Sequence, residues 1–360
     1  MDENESQDIN ESTRKRTNSK LWYYITRRNL DYTKTLEQDI TIKEIKLAIM
    51  SQSNNKATGD DQIPSEIFKN NIHIFSYLIE RMFKKYHKEG FPKKWKKGVV
   101  TLLYKKGDTS NLDNYRPITL LQTIYKIWAT VITNRISPIM NLLTKDNQCA
   151  YKAKRSTADA IYYIKQNLIQ NRIRGHISFD LSKAFDRIDR NKLWWILYEK
   201  GVPIKLIEII IKGHTDNTLA GKLNGELSNE IENDKGVFQG SPISALLYII
   251  FADGIMDEYK NELKQLKIPK IKILLKNLDI EYKWTEFLSK LKNREEAIEK
   301  VNWETPSAEK YVTHIDDSIL FSDDTGIGYT DTNEILQKIK IYDKTIVKYG
   351  LLVNWKRSLY

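Results

Sequence analysis

The longest apolar run in the chain, ISALLYIIFA at residues 243–252, does most to constrain the fold. It is too short to cross a bilayer, and it stops at Asp253. Pro242 stands where the first turn of a helix lacks hydrogen bonds anyway, so the run starts a long apolar helix. Around it the hydrophobic period changes repeatedly. ITIKEIKLAIM (40–50) has helical spacing behind a Thr41 cap, and FSYLIERMFKKYHKEG (75–90) is an amphipathic helix ending at Gly90. VVTLLYKKGDTSNLDNYRPITLL (99–121) is two apolar runs joined by a polar loop, a hairpin with a basic tip. Pro117 bars its second run from the middle of a sheet. Residues 123–140 and 156–172 return to helical spacing, the latter opening on Ser156 and Asp159 as a capping box. HISFDL (176–181) is a short strand, followed by a helix at 189–201 capped by Asp189 and another at 203–213. Asn224-Gly225 turns a hairpin inside 219–231, and 334–355 is a helix with a strand beyond Gly350. The order of strand, helices, long helix, paired strands, helix and strand predicts an α+β chain with a split βαβ sheet of ferredoxin-like type.

The 360 residues suffice for two or three subdomains, and 41% hydrophobic content excludes disorder of the whole. Residues 1–35 read as a mobile polar tail, and the Lys- and Glu-rich stretch near 264–308 as a solvated helical insertion. Fifty-eight basic against 47 acidic residues give a charge of +11, which suits a polyanionic partner. Cys149 is the only cysteine, so a disulfide framework and a thiolate zinc site are excluded and a reducing, intracellular compartment fits. The charged first residues do not form a secretory signal.

YVTHIDDSILFSDD (311–324) holds two pairs of adjacent aspartates. Asp316 and Asp317 lie between apolar residues suited to two short strands around a tight turn, and are either a cation site, since neighbouring carboxylates there need a cation, or a solvated hairpin tip. Asp323 and Asp324 run into Thr325-Gly326, a turn signal, and read as loop. Nucleotidyl transfer uses two divalent ions held by a few carboxylates, and Asp180, at the end of a predicted strand, is either the third carboxylate or an end-of-strand turn residue. Phe185, five residues on, is either a core aromatic or a flat apolar floor under a nucleotide sugar. Asp186 reads as a turn residue and Asp189 as a helix cap.

Together, NYRPITLL, FDLSKAFD, FQGSPISALLYIIF and HIDDSILFSDD resemble the reverse-transcriptase domain of non-LTR (LINE-like) retrotransposons, over about residues 40–360. The resemblance implies a right-hand polymerase with fingers in 36–175 and palm in 176–360, ending before a thumb. It implies that Asp180, Asp316 and Asp317 bind two Mg²⁺ or Mn²⁺ ions and that Phe185 is the steric gate selecting deoxynucleotides. Gln239, Gly240, Ser241 and Pro242 would position template and nucleotide, and Lys105 or Lys106 with Arg116 the triphosphate. Lys154 and Arg155 would face template phosphates, and KATGDDQIPSEIFK (56–69) would line the template path. The implied partners are an RNA template, a DNA primer and dNTPs, without a membrane, in the nucleus or cytoplasm. One departure stands out: the family has Tyr or Phe where His314 precedes Ile315-Asp316-Asp317. Another is Arg357, beside Lys356, where a proton-donating lysine is expected. Two alternatives are a nucleic-acid-binding remnant without turnover and a group II intron maturase-like protein. A viral RNA polymerase would want a polar gate instead of Phe185.

Overall fold

The computed structural model describes residues 36–145, 147–152, 155–223, 225–265, 272–274, 312–314, 318–321, 324–355 and 358. The chain opens with α1 (Ile42–Ser51), α2 (Ser65–Asn70) and α3 (Ile72–Glu89). Thr41 caps α1 through a complete capping box with Glu44, and α3 ends at Gly90 with φ +92°. Strands β1 (Lys97–Tyr104) and β2 (Tyr115–Leu120) form the expected antiparallel hairpin, and α4 (Thr123–Ile136) follows. Then come α5 (Thr157–Ile169), β3 (Gly175–Phe179), α6 (Arg190–Glu199) and α7 (Ile204–His214). Beyond them lie β4 (Asn217–Leu223), β5 (Glu226–Leu227), β6 (Ile231–Asn233) and the long α8 (Ser244–Gln265). Strands β7 (Lys272–Leu274), β8 (Val312–His314), β9 (Ser318–Phe321) and β10 (Asp324–Tyr329) precede α9 (Thr332–Lys348).

Two sheets organise these elements. The first has the order β2-β1-β4-β5, with β6 also on β4, and β4 runs parallel to β1. Pro117 therefore lies on an edge strand. Thr119, two residues on, turns its N–H outward to the Gln239 carbonyl at 2.7 Å, so the proline's missing donor falls on the side away from β1. The second sheet has the order β3-β10-β9, all antiparallel. A Leu181–Val353 bridge adds the segment after α9 on the far side of β3. Read by position in the chain, that is fourth, first, third, second, the ferredoxin-like order expected.

The core lies around α8. Every residue from Leu246 to Phe251 is 5% exposed or less, so the apolar run is enclosed on all faces, as a helix without a polar side must be. Gly254 lets α8 approach α6 closely, since a Cβ there would meet Ile196 at 2.7 Å. Tyr342 on α9 packs between Phe179 of β3 (4.7 Å) and Tyr259 of α8 (5.7 Å), joining the sheet to both helices. Among the described residues no helix is long and apolar enough to cross a membrane.

Three local expectations are corrected. Ser156 makes no side-chain cap; its hydroxyl donates to the Asp159 carboxylate at 2.6 Å. Pro242 precedes α8 instead of lying in its first turn. Residues 272–274, inside the stretch read as a helical insertion, are the strand β7, paired with β8. The tail at 1–35 and most of 264–308 lie outside the described residues.

Candidate active site

Asp180 directly follows the last residue of β3, at the edge of the second sheet where β10 begins. Its backbone carbonyl accepts from the Asn354 N–H at 2.7 Å, and its Oδ2 accepts from Asn354 Nδ2 at 2.9 Å. One asparagine on the returning segment thus fixes both the strand end and the carboxylate. Among the described residues Oδ1 has no hydrogen-bond partner.

The strand facing it is β10. Thr325 pairs with Phe179 and Gly326 with Ser178, so the next step of the same antiparallel register sets Asp324 against Asp180. Strands β9 and β10 are joined through residues 322–323, with Asp324 opposite Phe321. The reading of Asp324-Thr325-Gly326 as a loop is therefore corrected: these residues begin a strand. Propensity misled there, since Gly326 serves close packing, a Cβ at that position falling 2.1 Å from the His176 ring. Asp316 and Asp317 lie outside the described residues, as do Asp323, Lys154, Lys356 and Arg357. The strand before the first pair, β8, is paired with β7. A signal in the sequence could have separated the two pairs: Phe321-Ser322-Asp323-Asp324 carries the aromatic that His314 fails to supply.

The outer edge of β9 is braced by the loop before α5. Cys149 N–H donates to the Leu320 carbonyl at 2.9 Å, Leu320 N–H to the Asn147 carbonyl at 3.0 Å, and Asn147 Nδ2 to the Ser318 carbonyl at 3.0 Å. That loop is held in turn by Asp253 of α8, fully buried, whose Oδ1 accepts the Lys145 N–H at 2.9 Å and whose Oδ2 pairs with Lys200 at 2.5 Å.

Phe185 sits in the short helical turn Ala184–Arg187, half-buried and stacked on Tyr248 of α8 at 4.7 Å and 21°. The segment carrying Gln239 and Gly240 lies between this turn and β2. Gly240 has φ +126°, and a Cβ there would come within 2.6 Å of the Thr119 carbonyl oxygen. Lys105, Lys106 and Arg116 are exposed at the tip of the β1–β2 hairpin, and Arg155 is exposed before α5. In the upstream segment, Asp60 accepts from Gln122 Nε2 at 2.9 Å and pairs with Lys97 at 3.2 Å, bracing α4 and β1.

Residues 103–359 match the family described as reverse transcriptase (RNA-dependent DNA polymerase), and the chain belongs to that family. It is 28% identical over 247 residues, 67% of this chain and 19% of the other, to the transposon TX1 uncharacterized 149 kDa protein of Xenopus laevis. It is 26% identical over 232 residues, 58% of this chain and 24% of the other, to the probable RNA-directed DNA polymerase from transposon X-element of Drosophila melanogaster. The matched stretch thus spans about a fifth to a quarter of these relatives' length. Among solved structures, apo telomerase from Candida tropicalis truncated from its C-terminal domain aligns with TM-score 0.45 and 16% identity. That alignment covers 80% of this chain and 55% of the other.

Proposed function

We propose that the chain is an RNA-directed DNA polymerase whose acidic site is assembled from Asp180 and the β9–β10 turn, with Asp324 and its neighbour Asp323 in place of Asp316 and Asp317. The observation that supports this is the β3–β10 register, which pairs Thr325 with Phe179 and, continued by one residue, would bring Asp324 opposite Asp180. The donor set fits magnesium or manganese: carboxylate oxygens from two adjacent strand ends, one of them an Asp180 oxygen without a described partner. Asp180 and Asp324 would hold the divalent metal, which would supply Lewis-acid activation for nucleotidyl transfer. The protein's own part is positional. Asn354 keeps Asp180 in one rotamer, the 147–149 loop holds β9, and Phe185 floors the sugar pocket against Tyr248. Arg116 and Lys105 or Lys106, at an exposed hairpin tip, would meet the triphosphate, and Arg155 the template backbone.

The test is extension of a DNA primer on an RNA template with Mg²⁺ or Mn²⁺. Asp180→Asn and Asp324→Asn are each expected to lower kcat by about a thousandfold or more, the scale of a lost electrostatic stabiliser. Activity that survives Asp324→Asn but is abolished by Asp316→Ala and Asp317→Ala would return the assignment to the first pair. Salt-sensitive RNA binding without any extension by the unsubstituted chain would favour the binding-only alternative.

A further inference from the structure

One face of α3 carries exposed cations at helical spacing: Arg81, Lys84, Lys85 and Lys88. The stripe runs on past Gly90 into the single turn Lys93–Lys96, where Lys93 and Lys94 are exposed as well. Ring contacts make the two parts neighbours. The Lys85 ammonium lies 5.8 Å from the centre of the Tyr86 ring, and Tyr86 packs edge-on against Trp95 of the turn at 5.0 Å. Two of these cations are answered on α3 itself, Lys84 by Glu80 and Lys85 by Glu89 at 3.7 Å. Arg81, Lys88, Lys93 and Lys94 have no ion pair among the described residues, so their charge is uncompensated.

Cations are common at a helix C-terminus, where they meet unpaired carbonyls. Here that place is filled from another helix: Lys212 of α7 donates to the carbonyls of His87 at 2.5 Å and Lys88 at 3.2 Å. Arg81 lies about two turns inside α3, and Lys93 and Lys94 lie beyond its end, where the helix dipole has little hold on them. Exposed charges of this kind add little to stability, which leaves the patch without an internal role. It is also set apart from the polymerase site. It precedes residues 103–359, the stretch matched to the family, and it adjoins the Lys97 end of β1, whereas Lys105 and Lys106 follow the Tyr104 end. Strand steps of about 3.3 Å place those two ends roughly 23 Å apart.

Taking its occupant from the RNA-directed reading above, we propose that Arg81, Lys88, Lys93 and Lys94 form a second RNA-binding surface, which holds the phosphate backbone of the template outside the polymerase cleft. The spacing suits a strand of phosphates better than a compact anion. The ~10 Å from Arg81 to Lys88 matches about three successive phosphates of a stacked single strand, at about 3.4 Å per nucleotide. Tyr77, 53% exposed with the Arg81 guanidinium 5.9 Å from its ring centre, adds a π-face for an unpaired base. The roughly 23 Å along β1 corresponds to about seven nucleotides, so one RNA can reach both surfaces.

Fluorescence anisotropy of a labelled single-stranded RNA of about 40 nucleotides, titrated with the full chain over a range of salt concentrations, tests this. Arg81→Gln/Lys88→Gln/Lys93→Gln/Lys94→Gln is expected to lower the slope of log affinity against log salt by about 3, at roughly 0.7 per phosphate contact. Lys93→Gln/Lys94→Gln alone, which leaves α3 untouched, should give about half that change. An RNA–DNA hybrid of about eight base pairs, which fills the cleft and leaves no strand over for the patch, should bind the variants and the unsubstituted chain alike. The control Lys165→Gln/Lys264→Gln/Lys340→Gln/Lys344→Gln removes as many exposed charges from α5, α8 and α9 and should keep the slope. A slope change below about 1, an equal loss on the short hybrid, or an equal fall in the control would overturn the proposal. So would binding to phosphatidylserine vesicles that the substitutions abolish while RNA binding is untouched, which would assign the stripe to a membrane surface. Absence of primer extension by the unsubstituted chain would count against the polymerase reading, and the salt slope would still decide this one.

Discussion

Replacing Asp253 by alanine should be among the most damaging single changes in the molecule. Its carboxylate is fully buried on α8 and holds two partners, the Lys145 N–H and the Lys200 ammonium. Lys200, whose side chain is 15% exposed, would retain only Asp257 at 3.4 Å, itself 47% exposed. Removing one member of a buried pair costs about 3–5 kcal/mol, and the surviving partner sets the charge contribution near the lower end, about 3. The orphaned N–H adds about 1 kcal/mol, for a total near 4. Against a typical stability of about 5–15 kcal/mol that is a large fraction. Urea denaturation followed by tryptophan fluorescence measures it. Adding Lys200→Met removes the stranded charge, so the double variant should regain about 2 kcal/mol of the loss. A loss below about 1 kcal/mol for Asp253→Ala, or a double variant no better than the single, would refute the reasoning. Extension should also fall at temperatures well below the melt, because the loop that braces β9 hangs on this carboxylate.

Three further outcomes are expected. His214 is buried between Trp128 and Trp194, and burial pulls its pKa from 6.5 down to about 4. The unfolded chain takes up the proton first, so stability is intact above pH 6.5 and falls as pH drops towards 4, by about 3 kcal/mol in all; His214→Phe should flatten the urea midpoint between pH 7 and 4.5, and an unchanged slope would sink the assignment. Gly213→Ala places a Cβ 2.1 Å from the buried Trp128 ring. The overpacking, about 3 kcal/mol, exceeds the gain in helix propensity of about 1, so the melting temperature should fall, and a rise would contradict this. Phe185→Ala should let ribonucleotides in during extension, and an unaltered sugar preference would discard the gate.

Much of this was legible in the sequence because local chemistry decided it. Thr41, Asp189 and Gly90 mark helix ends through their own hydrogen bonds or backbone freedom, and each is found at its expected end. The enclosure of α8 and the edge position of β2 followed from an apolar run and a single proline. What the sequence concealed is long-range pairing. Asp324-Thr325-Gly326 has the composition of a turn, yet β3 and β9 on either side recruit it as a central strand. Asp186 and Gln239 are 53 residues apart and meet only because Gly236 lets two backbones touch. Asn354 likewise reaches Asp180 from 174 residues away.

The place of β4 has a consequence for synthesis. It lies beside β1 in the first sheet, yet it begins roughly 120 residues later in the chain, after β3, α6 and α7. At a ribosomal pace of roughly 5–20 residues per second, β1 waits about 6 to 24 s for its second neighbour. Through that interval the side of Lys97–Val100 that β4 will cover offers unpaired backbone to any passing strand, which makes this edge a place for a chaperone to shield.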